Sequence, residues 1–296
     1  MKILTNAHFL LMLTSLFWAF NTIAGRAAVE EVSPLLIVST RWFFVSIILT
    51  IICRKELISA WSILNKRLKW LTIMGLFGFT GFNSTYYIAA HDTIAINLGL
   101  VQGTMPAFII IIARFWLKDK VNLIQILGVF ITFFAVLVVV SSGDFKTLMT
   151  FQINKGDVVM VFACTLYAVY AVGLRKKPTI GALPLLTFFS YIAFLGSIPG
   201  LVYEVYSENL ILPGTKGILI LAVIVIFPSF LAQIFFMKGV EQIGPARSGL
   251  YTNLVPIFSS LLAVFFLGEF FRIYHLISLV LIFIGIYIFE TQKKEN

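Results

Sequence analysis

Long apolar runs alternate with short polar segments along almost the whole chain, and each run is about 20 residues long. An α-helix rises about 1.5 Å per residue, so a run of this length crosses about 30 Å of hydrocarbon. The pattern predicts ten membrane-spanning helices, at residues 8–28, 35–53, 70–90, 95–117, 121–141, 156–174, 183–203, 215–237, 247–267 and 273–290. The loops between them are too short to hold a soluble domain.

The second half of this pattern repeats the first. Seven pairs of residues lie 150 positions apart, and five of the pairs are identical: Ala95 with Pro245, Gly99 with Gly249, Leu100 with Leu250, Pro106 with Pro256, Phe115 with Phe265, Leu117 with Leu267 and Asp119 with Glu269. Nearer the start of each half the offset is 149, where Arg26 meets Arg175. An odd number of spans in each copy inserts the second copy upside down relative to the first. We therefore expect an all-α integral membrane protein with two inverted five-helix repeats, residues 1–145 and 146–296.

Composition and charge agree with this interpretation, since 60% of the residues are apolar and only 12% are charged. Soluble domains have roughly a quarter of their residues charged. Alternate loops carry 16 Lys and Arg residues on one side and five on the other, with Arg41 inside a span. Basic loops remain in the cytoplasm, so we expect both termini there. The net charge of +9 is thus an orientation signal and does not indicate a nucleic-acid partner.

Catalytic and metal chemistry have little support in the sequence. The two cysteines and three histidines are scattered and lack the spacing of metal ligands: Cys53, Cys164, His8, His91 and His275. Nucleophile, metalloprotease and phosphate-binding motifs are absent from the chain. We therefore expect no catalytic residue, no metal and no cofactor.

Arg41 is the clearest candidate for a functional charge, because it lies about two turns from the outer end of the second span. A charged side chain inside a span costs roughly 2.5–3.5 kcal/mol on insertion scales. Two interpretations remain open at this point. Arg41 can bind an anionic group on the substrate or a partner that sets a gate, or it can snorkel outward or bond backbone carbonyls inside the bundle.

Pro106 and Pro256 occupy equivalent places inside the fourth and ninth spans. A proline cannot donate to the carbonyl four residues earlier, so the oxygens of Gln102 and Thr252 are freed. A freed carbonyl inside the membrane must face protein or a wet cavity. A plain kink would also explain either proline, whereas their symmetric positions favour a cavity wall and a gating or structural role.

Polar and amphipathic side chains within spans form the predicted substrate-binding set. They come from the first, third, fourth, sixth, eighth and ninth spans and comprise Trp18, Asn21, Asn83, Tyr86, Gln102, Tyr167, Tyr170, Gln233, Tyr251 and Asn253. Residues from symmetry-related helices can line one central cavity, with aromatic faces for apolar substrate surface and amides for orientation. For any single Tyr or Trp, helix packing or an interfacial belt is the competing interpretation.

Several stretches resemble the EamA-type ten-helix members of the drug/metabolite transporter superfamily. They are FWAFNTIAGR in the first span, STRWFFVSIIL in the second, LVQGTMPAFIIIIARFWLKDKVNLIQILGVF in the fourth and fifth, and GLYTNLVPIFSSLLAVFFLGEFF in the ninth. The most specific feature is a proline followed by an apolar run to Leu-Gly-Glu, which Pro256 to Glu269 match. The first half departs from it, with Leu117-Lys118-Asp119 in place of Leu-Gly-Glu.

The resemblance implies a transporter of the bacterial inner membrane that works by alternating access through a central cavity. Its implied substrates are small metabolites such as amino acids, or amphiphilic toxic compounds, and its implied direction is export. The expected partners are a small-molecule substrate and membrane lipid, and a monomer or a homodimer is compatible with the sequence. Two other classes remain open: a membrane-embedded enzyme or lipid-carrier-handling subunit, and a passive channel.

Overall fold

A computed structural model describes residues 6–119, 122–144, 146 and 154–291, and within these ranges it contains helices and no strand. The helices of the first half are α1 (Ala7–Ala27), α2 (Pro34–Ile52), α3 (Arg54–Lys66), α4 (Leu68–Gly75), α5 (Phe82–Asp92), α6 (Ala95–Gln102), α7 (Met105–Trp116) and α8 (Leu123–Val140). Those of the second half are α9 (Lys155–Gly173), α10 (Ala182–Tyr206), α11 (Thr215–Ile224), α12 (Ala232–Ile243), α13 (Pro245–Leu250), α14 (Val255–Leu267) and α15 (Ile273–Thr291). The predicted boundary between the repeats follows residue 145, which lies outside the described residues.

Eight helical segments are long and apolar enough to cross a membrane: Ala7–Ala27, Pro34–Ile52, Ala95–Trp116, Leu123–Val140, Lys155–Lys176, Ala182–Tyr206, Thr215–Ile243 and Arg247–Leu267. Helix α15 contributes a shorter apolar stretch, Ile273–Ile288. The third predicted span corresponds to a continuous helical stretch from α4 through a π-helical segment to α5. The all-helical membrane fold is therefore confirmed, and the arrangement is compatible with ten spans.

The fourth and ninth spans are each broken beside a proline. Helix α6 ends at Gln102 and α7 begins at Met105, with Pro106 in its first turn. Helix α13 passes into the 3-10 turn Tyr251–Leu254, and Pro256 lies in the first turn of α14. Proline suits the first turn of a helix because its missing N–H would have no helical acceptor there. At the two expected kinks the α-helix is thus interrupted at equivalent positions, by a turn in the fourth span and by a 3-10 segment in the ninth.

Two π-helical segments also occupy equivalent positions, Leu76–Gly81 before α5 and Val225–Leu231 before α12. In the second segment Pro228 cannot donate to the carbonyl of Ile224, and the Ser229 hydroxyl donates to that oxygen at 2.5 Å instead. Widened turns of this kind are frequent at functional sites, because they free backbone groups and re-aim side chains. Both segments contribute to the cavity described below.

The helices of the two halves interlock and do not form separate bundles. Helix α1 packs against α12 and α14 of the second half, while its equivalent α9 packs against α5 and α7 of the first. Helix α2 pairs with α10, and α8 pairs with α15. In the last pair a Cβ on Gly285 would lie 2.2 Å from Thr132 Oγ1 and 2.7 Å from the Gly128 carbonyl oxygen. Small residues permit the close helix approach that stabilises packing within lipid.

Hydrogen bonds distinguish the two ends of the bundle. At one end Arg26, in the last turn of α1, donates to the carbonyl oxygen of Ala90 near the end of α5. At the other end Arg175, just after α9, forms an ion pair with Asp119, just after α7. We term these the Arg26 end and the Arg175 end.

Candidate functional site

A central cavity of about 850 Å³ lies between the two halves of the molecule. Its wall includes residues from α1, α2, α5, α6, α7, α9 and α12, together with both π-helical segments and the 3-10 turn before α14. Binding sites for small molecules commonly have volumes of about 300–1,000 Å³. The cavity is therefore large enough for a small organic molecule and too small for a macromolecule.

Nine of the ten predicted substrate-binding residues line this cavity: Trp18, Asn21, Asn83, Tyr86, Gln102, Tyr167, Tyr170, Gln233 and Asn253. Tyr251 is placed elsewhere. Its hydroxyl lies 2.5 Å from His8 Nδ1, and its carbonyl oxygen accepts a hydrogen bond from the Ser15 hydroxyl at 2.6 Å. The 3-10 turn directs the Tyr251 ring towards the start of α1, away from the cavity wall.

Of the three predicted gating residues, Arg41 and Pro106 line the cavity and Pro256 does not. Pro256 packs against the end of α6, where a Cβ on Gly103, the residue after the helix, would lie 2.8 Å from Pro256 Cγ. The two equivalent prolines therefore have different surroundings. One forms part of an open wall, and the other belongs to a tight contact between helices.

Arg41 is 4% exposed, and its guanidinium is held by neutral side chains from several helices. Its Nε donates to Ser229 Oγ at 2.9 Å, and its Nη1 donates to Asn83 Oδ1 at 2.9 Å, the Tyr87 hydroxyl at 2.6 Å and Asn21 Oδ1 at 3.3 Å. These partners replace the backbone carbonyls or outward snorkelling considered from the sequence. Ser229 and Tyr87 were not predicted as partners, because pairing across helices depends on tertiary packing.

Aromatic rings form the wall beside Arg41. The Trp42 and Phe79 ring centroids lie 5.0 Å apart, and those of Phe82 and Tyr167 lie 5.1 Å apart. Edge-to-face and tilted arrangements at these distances are favourable between aromatic side chains. Trp42, Phe79 and Phe82 were missing from the predicted set, because an aromatic residue in an apolar span gives no sequence signal of whether it faces lipid or cavity.

The cavity opens towards the Arg175 end. Asp119 and Arg175 both line it, and their paired side chains are 39% and 49% exposed. Gly249 lines the same region, and a Cβ built on it would have no heavy atom within 4 Å. Exposure of the ion pair and free space at Gly249 mark an open mouth.

The Arg26 end is closed by hydrogen bonds at helix termini. Glu269 accepts from the backbone N–H groups of Ala95 and Ile96 at 2.7 and 2.9 Å. Arg26 Nη1 donates to the carbonyl oxygens of Ala90 and His91 at 2.7 and 3.2 Å. A carboxylate at a helix N-terminus and a cation at a helix C-terminus both interact favourably with the helix dipole.

A second set of contacts closes the same end. Asp157 accepts hydrogen bonds from the Thr93 hydroxyl at 2.5 Å and from Asn97 Nδ2 at 3.1 Å. A Cβ on Gly99 would lie 1.8 Å from Ser259 Oγ, so α6 and α14 are in direct contact. The sequence signal for this seal was the equivalence of Glu269 with Asp119. Equivalent residues of inverted repeats lie at opposite ends of the bundle, so the sequence predicted one acid at each end. It did not show which acid caps a helix.

Among the described residues, no group of three or more His, Cys, Asp or Glu side chains could hold a metal ion. The site consists instead of amides, hydroxyls, aromatic rings and one buried guanidinium. Such groups bind and orient an organic molecule through hydrogen bonds and apolar contact.

The profile of the EamA-like transporter family matches residues 5–141 and 154–291. The uncharacterized transporter YyaM of Bacillus subtilis (strain 168) is 28% identical, covering 72% of this chain and 70% of its own length. An uncharacterized transporter of Archaeoglobus fulgidus is 25% identical, covering 98% of this chain and 99% of its own. One solved crystal structure has a TM-score of 0.66 at 15% identity, with 98% of this chain and 99% of that chain covered. It shows a shared fold.

Proposed function

Because this chain belongs to the EamA-like transporter family, we propose that it exports small metabolites or amphiphilic toxic compounds across the bacterial inner membrane. The metabolites would be amino acids or related compounds. The family and the curated relatives are transporters, so the chain is a multi-pass membrane transporter and not an enzyme. Substrate class and direction are the parts proposed here.

The observation that carries the proposal is the central cavity, which has aromatic and amide walls and opens at one end. A passive channel needs a continuous path between both sides of the membrane. A cavity that is open at the Arg175 end and sealed at the Arg26 end suits alternating access, in which each side is reached in turn.

The proposed orientation places the Arg175 end in the cytoplasm. It is supported by the distribution of Lys and Arg, with 16 residues in the loops of one side and five in those of the other. In this orientation the cavity is open to the compartment from which an exporter takes its substrate.

The proposed transport cycle follows from the repeats, 1–145 and 146–296. In transporters built from inverted repeats, the opposite state forms when each half adopts the conformation of the other. The contacts that now seal the Arg26 end would then be reproduced by their equivalents at the Arg175 end, and the cavity would open to the outside.

The test is efflux of a panel of labelled amino acids and dyes from cells with and without the gene. We expect faster and saturable efflux of at least one class of compound. Cells with the Asn253→Trp variant, whose added bulk would project from the cavity wall, serve as a control with the same membrane load and should lose the effect. Efflux that rises linearly with concentration would instead indicate a channel, and accelerated uptake would reverse the proposed direction.

A further inference from the structure

The charges around the cavity do not balance. Among the described residues, Arg41, Asp119 and Arg175 are the charged ones on its wall. Asp119 and Arg175 pair with each other at the open mouth. Arg41 has only neutral hydrogen-bond partners, and no carboxylate of the described residues forms an ion pair with it. The inner part of the cavity therefore contains one uncompensated positive charge.

One side of the guanidinium is also free to bind. Arginine has five N–H donors, one on Nε and two on each terminal nitrogen. The hydrogen bonds of Arg41 all come from Nε and Nη1, which leaves the Nη2 donors without a partner in the described chain. Nη2 is not among the fully buried polar atoms that lack a partner. Arg41 lines the cavity, so a molecule bound there is the available partner for the Nη2 donors.

The surroundings of Arg41 indicate what kind of molecule would fit there. The guanidinium carbon lies 5.0 Å from the Trp42 ring centroid and 5.7 Å from that of Tyr87. Phe79 and Phe82 continue the apolar wall. An anionic group at Nη2 would thus leave the rest of the molecule against aromatic rings. A positively charged group would meet like charge at this position, and the one acid among the described wall residues, Asp119, is paired with Arg175.

Helix packing alone does not explain the charge. Ser229, Asn83, Tyr87 and Asn21 offer neutral oxygens, and a neutral amide could donate to such acceptors without the cost of burying an ion. An unpaired buried charge is strongly unfavourable unless a counter-ion is supplied. A substrate that carries the counter-ion removes this cost whenever the cavity is loaded.

We propose that Arg41 is the anion-binding residue of the cavity and that the transported compound is a small organic carboxylate with an apolar or aromatic body. This rests on the proposed transport function and narrows it, because cationic toxic compounds become poor substrates. The free Nη2 donors would give a carboxylate charge-assisted hydrogen bonds, which are stronger than hydrogen bonds between neutral groups.

The experiment compares three probes of similar size on the purified full-length protein by isothermal titration calorimetry: 3-phenylpropionate, 3-phenylpropionamide and 2-phenylethylammonium. We expect the carboxylate to bind about tenfold more tightly than the amide, and the ammonium to bind most weakly. Arg41→Gln should reduce the ratio of acid to amide affinity to about one while amide binding persists. Arg41→Lys should retain part of the preference.

Arg54→Gln is the matched control, because it removes one positive charge from an exposed position outside the cavity. It should leave the acid preference unchanged. If Arg41→Gln does not fold, as judged by thermal unfolding, the wild-type ratio and Arg41→Lys decide the question. Equal affinity of the wild type for acid and amide, or full acid preference in Arg41→Gln, overturns the assignment and leaves the cavity as a binding site. Binding of none of the three probes also overturns the assignment, whereas the transport function itself is tested by the efflux panel.

Discussion

Gly99 in α6 and Gly249 in α13 are equivalent residues of the two repeats, yet their surroundings are opposite. A Cβ on Gly99 would lie 1.8 Å from Ser259 Oγ, whereas a Cβ on Gly249 would have no heavy atom within 4 Å. The prolines follow the same division, since Pro256 packs on α6 and Pro106 borders the cavity. Matching residues are in contact at the Arg26 end and separated at the Arg175 end.

The equivalent acids differ in the same way. Glu269 accepts two backbone hydrogen bonds at the start of α6, in the sealed end. Asp119 forms an exposed ion pair with Arg175 at the open end. Because these glycines, prolines and acids are equivalent in the two repeats while their contacts differ, the asymmetry reflects how the halves are arranged. We expect the open end to close through contacts equivalent to those of the sealed end, with Gly249 approaching Pro106.

The largest expected effect concerns which end faces which compartment. In a variant without Cys53 and Cys164, a cysteine at Ser142 should react from outside intact cells with a membrane-impermeant thiol reagent. A cysteine at Lys177 should not react until the cells are opened, because basic loops remain in the cytoplasm. Both positions are exposed in the structure, so access is decided by the membrane. Reaction at Lys177 in intact cells would reverse the orientation and with it the identity of the open mouth.

The second expected effect is a difference in stability between Gly99→Ala and Gly249→Ala. The first change forces α6 and α14 apart, and overpacking of this kind costs roughly 1–3 kcal/mol. The second should leave stability unchanged or slightly raised, because alanine favours a helix over glycine by up to about 1 kcal/mol. Thermal unfolding in detergent measures both. Equal destabilisation would show that the two ends are not packed differently.

The same pair of variants also tests the transport cycle. Gly249→Ala should slow transport despite normal stability, because the added methyl group obstructs closure of the Arg175 end against Pro106. A reduced maximal rate without loss of protein from the membrane is the expected result. Wild-type rates for Gly249→Ala would argue against closure through this contact.

A smaller difference is expected between Glu269→Gln and Asp119→Asn. Glutamine offers one side-chain oxygen in place of two, and hydrogen bonds to charged groups contribute roughly 1.5–3 kcal/mol. The exposed ion pair of Asp119 is expected to contribute about 0–1 kcal/mol. The rate at which a thiol reagent modifies a cysteine at the buried position Ala95 should therefore rise in Glu269→Gln and change little in Asp119→Asn. Similar rates in the two variants would remove Glu269 from the seal.

The smallest expected effect is that of a pH gradient across the membrane on the accumulation of substrate. Of the described residues on the cavity wall, Asp119 is the one carboxylate, and it lies at the mouth in an ion pair. Proton-driven carriers use acids or histidines along the transport path. In proteoliposomes, counterflow should proceed without a pH gradient, and an imposed gradient should not concentrate a neutral substrate. Proton-driven accumulation would contradict this and would make Asp119 and Glu269 the first residues to neutralise.

Features that depend on the composition or spacing of residues along the chain could be predicted from the sequence alone. Span lengths follow from the thickness of the membrane, and the repeats follow from a constant offset such as that between Pro106 and Pro256. Nine cavity-wall positions were also predicted, because a polar side chain inside an apolar span must face protein or water. Each of these inferences needs only local composition or spacing.

The tertiary structure decided which way each side chain points and which end of the bundle is sealed. Tyr251 turns towards His8 and Trp42 towards the cavity, since the rotation of a helix or turn is set by its neighbours. The partners of Arg41 meet only after α1, α2, α5 and the second π-helical segment have packed. The same pattern of glycine, proline and acid occurs in both repeats, so this local sequence is compatible with a sealed and with an open end. Which end is sealed is decided by the small free-energy difference between two packings of the same residues.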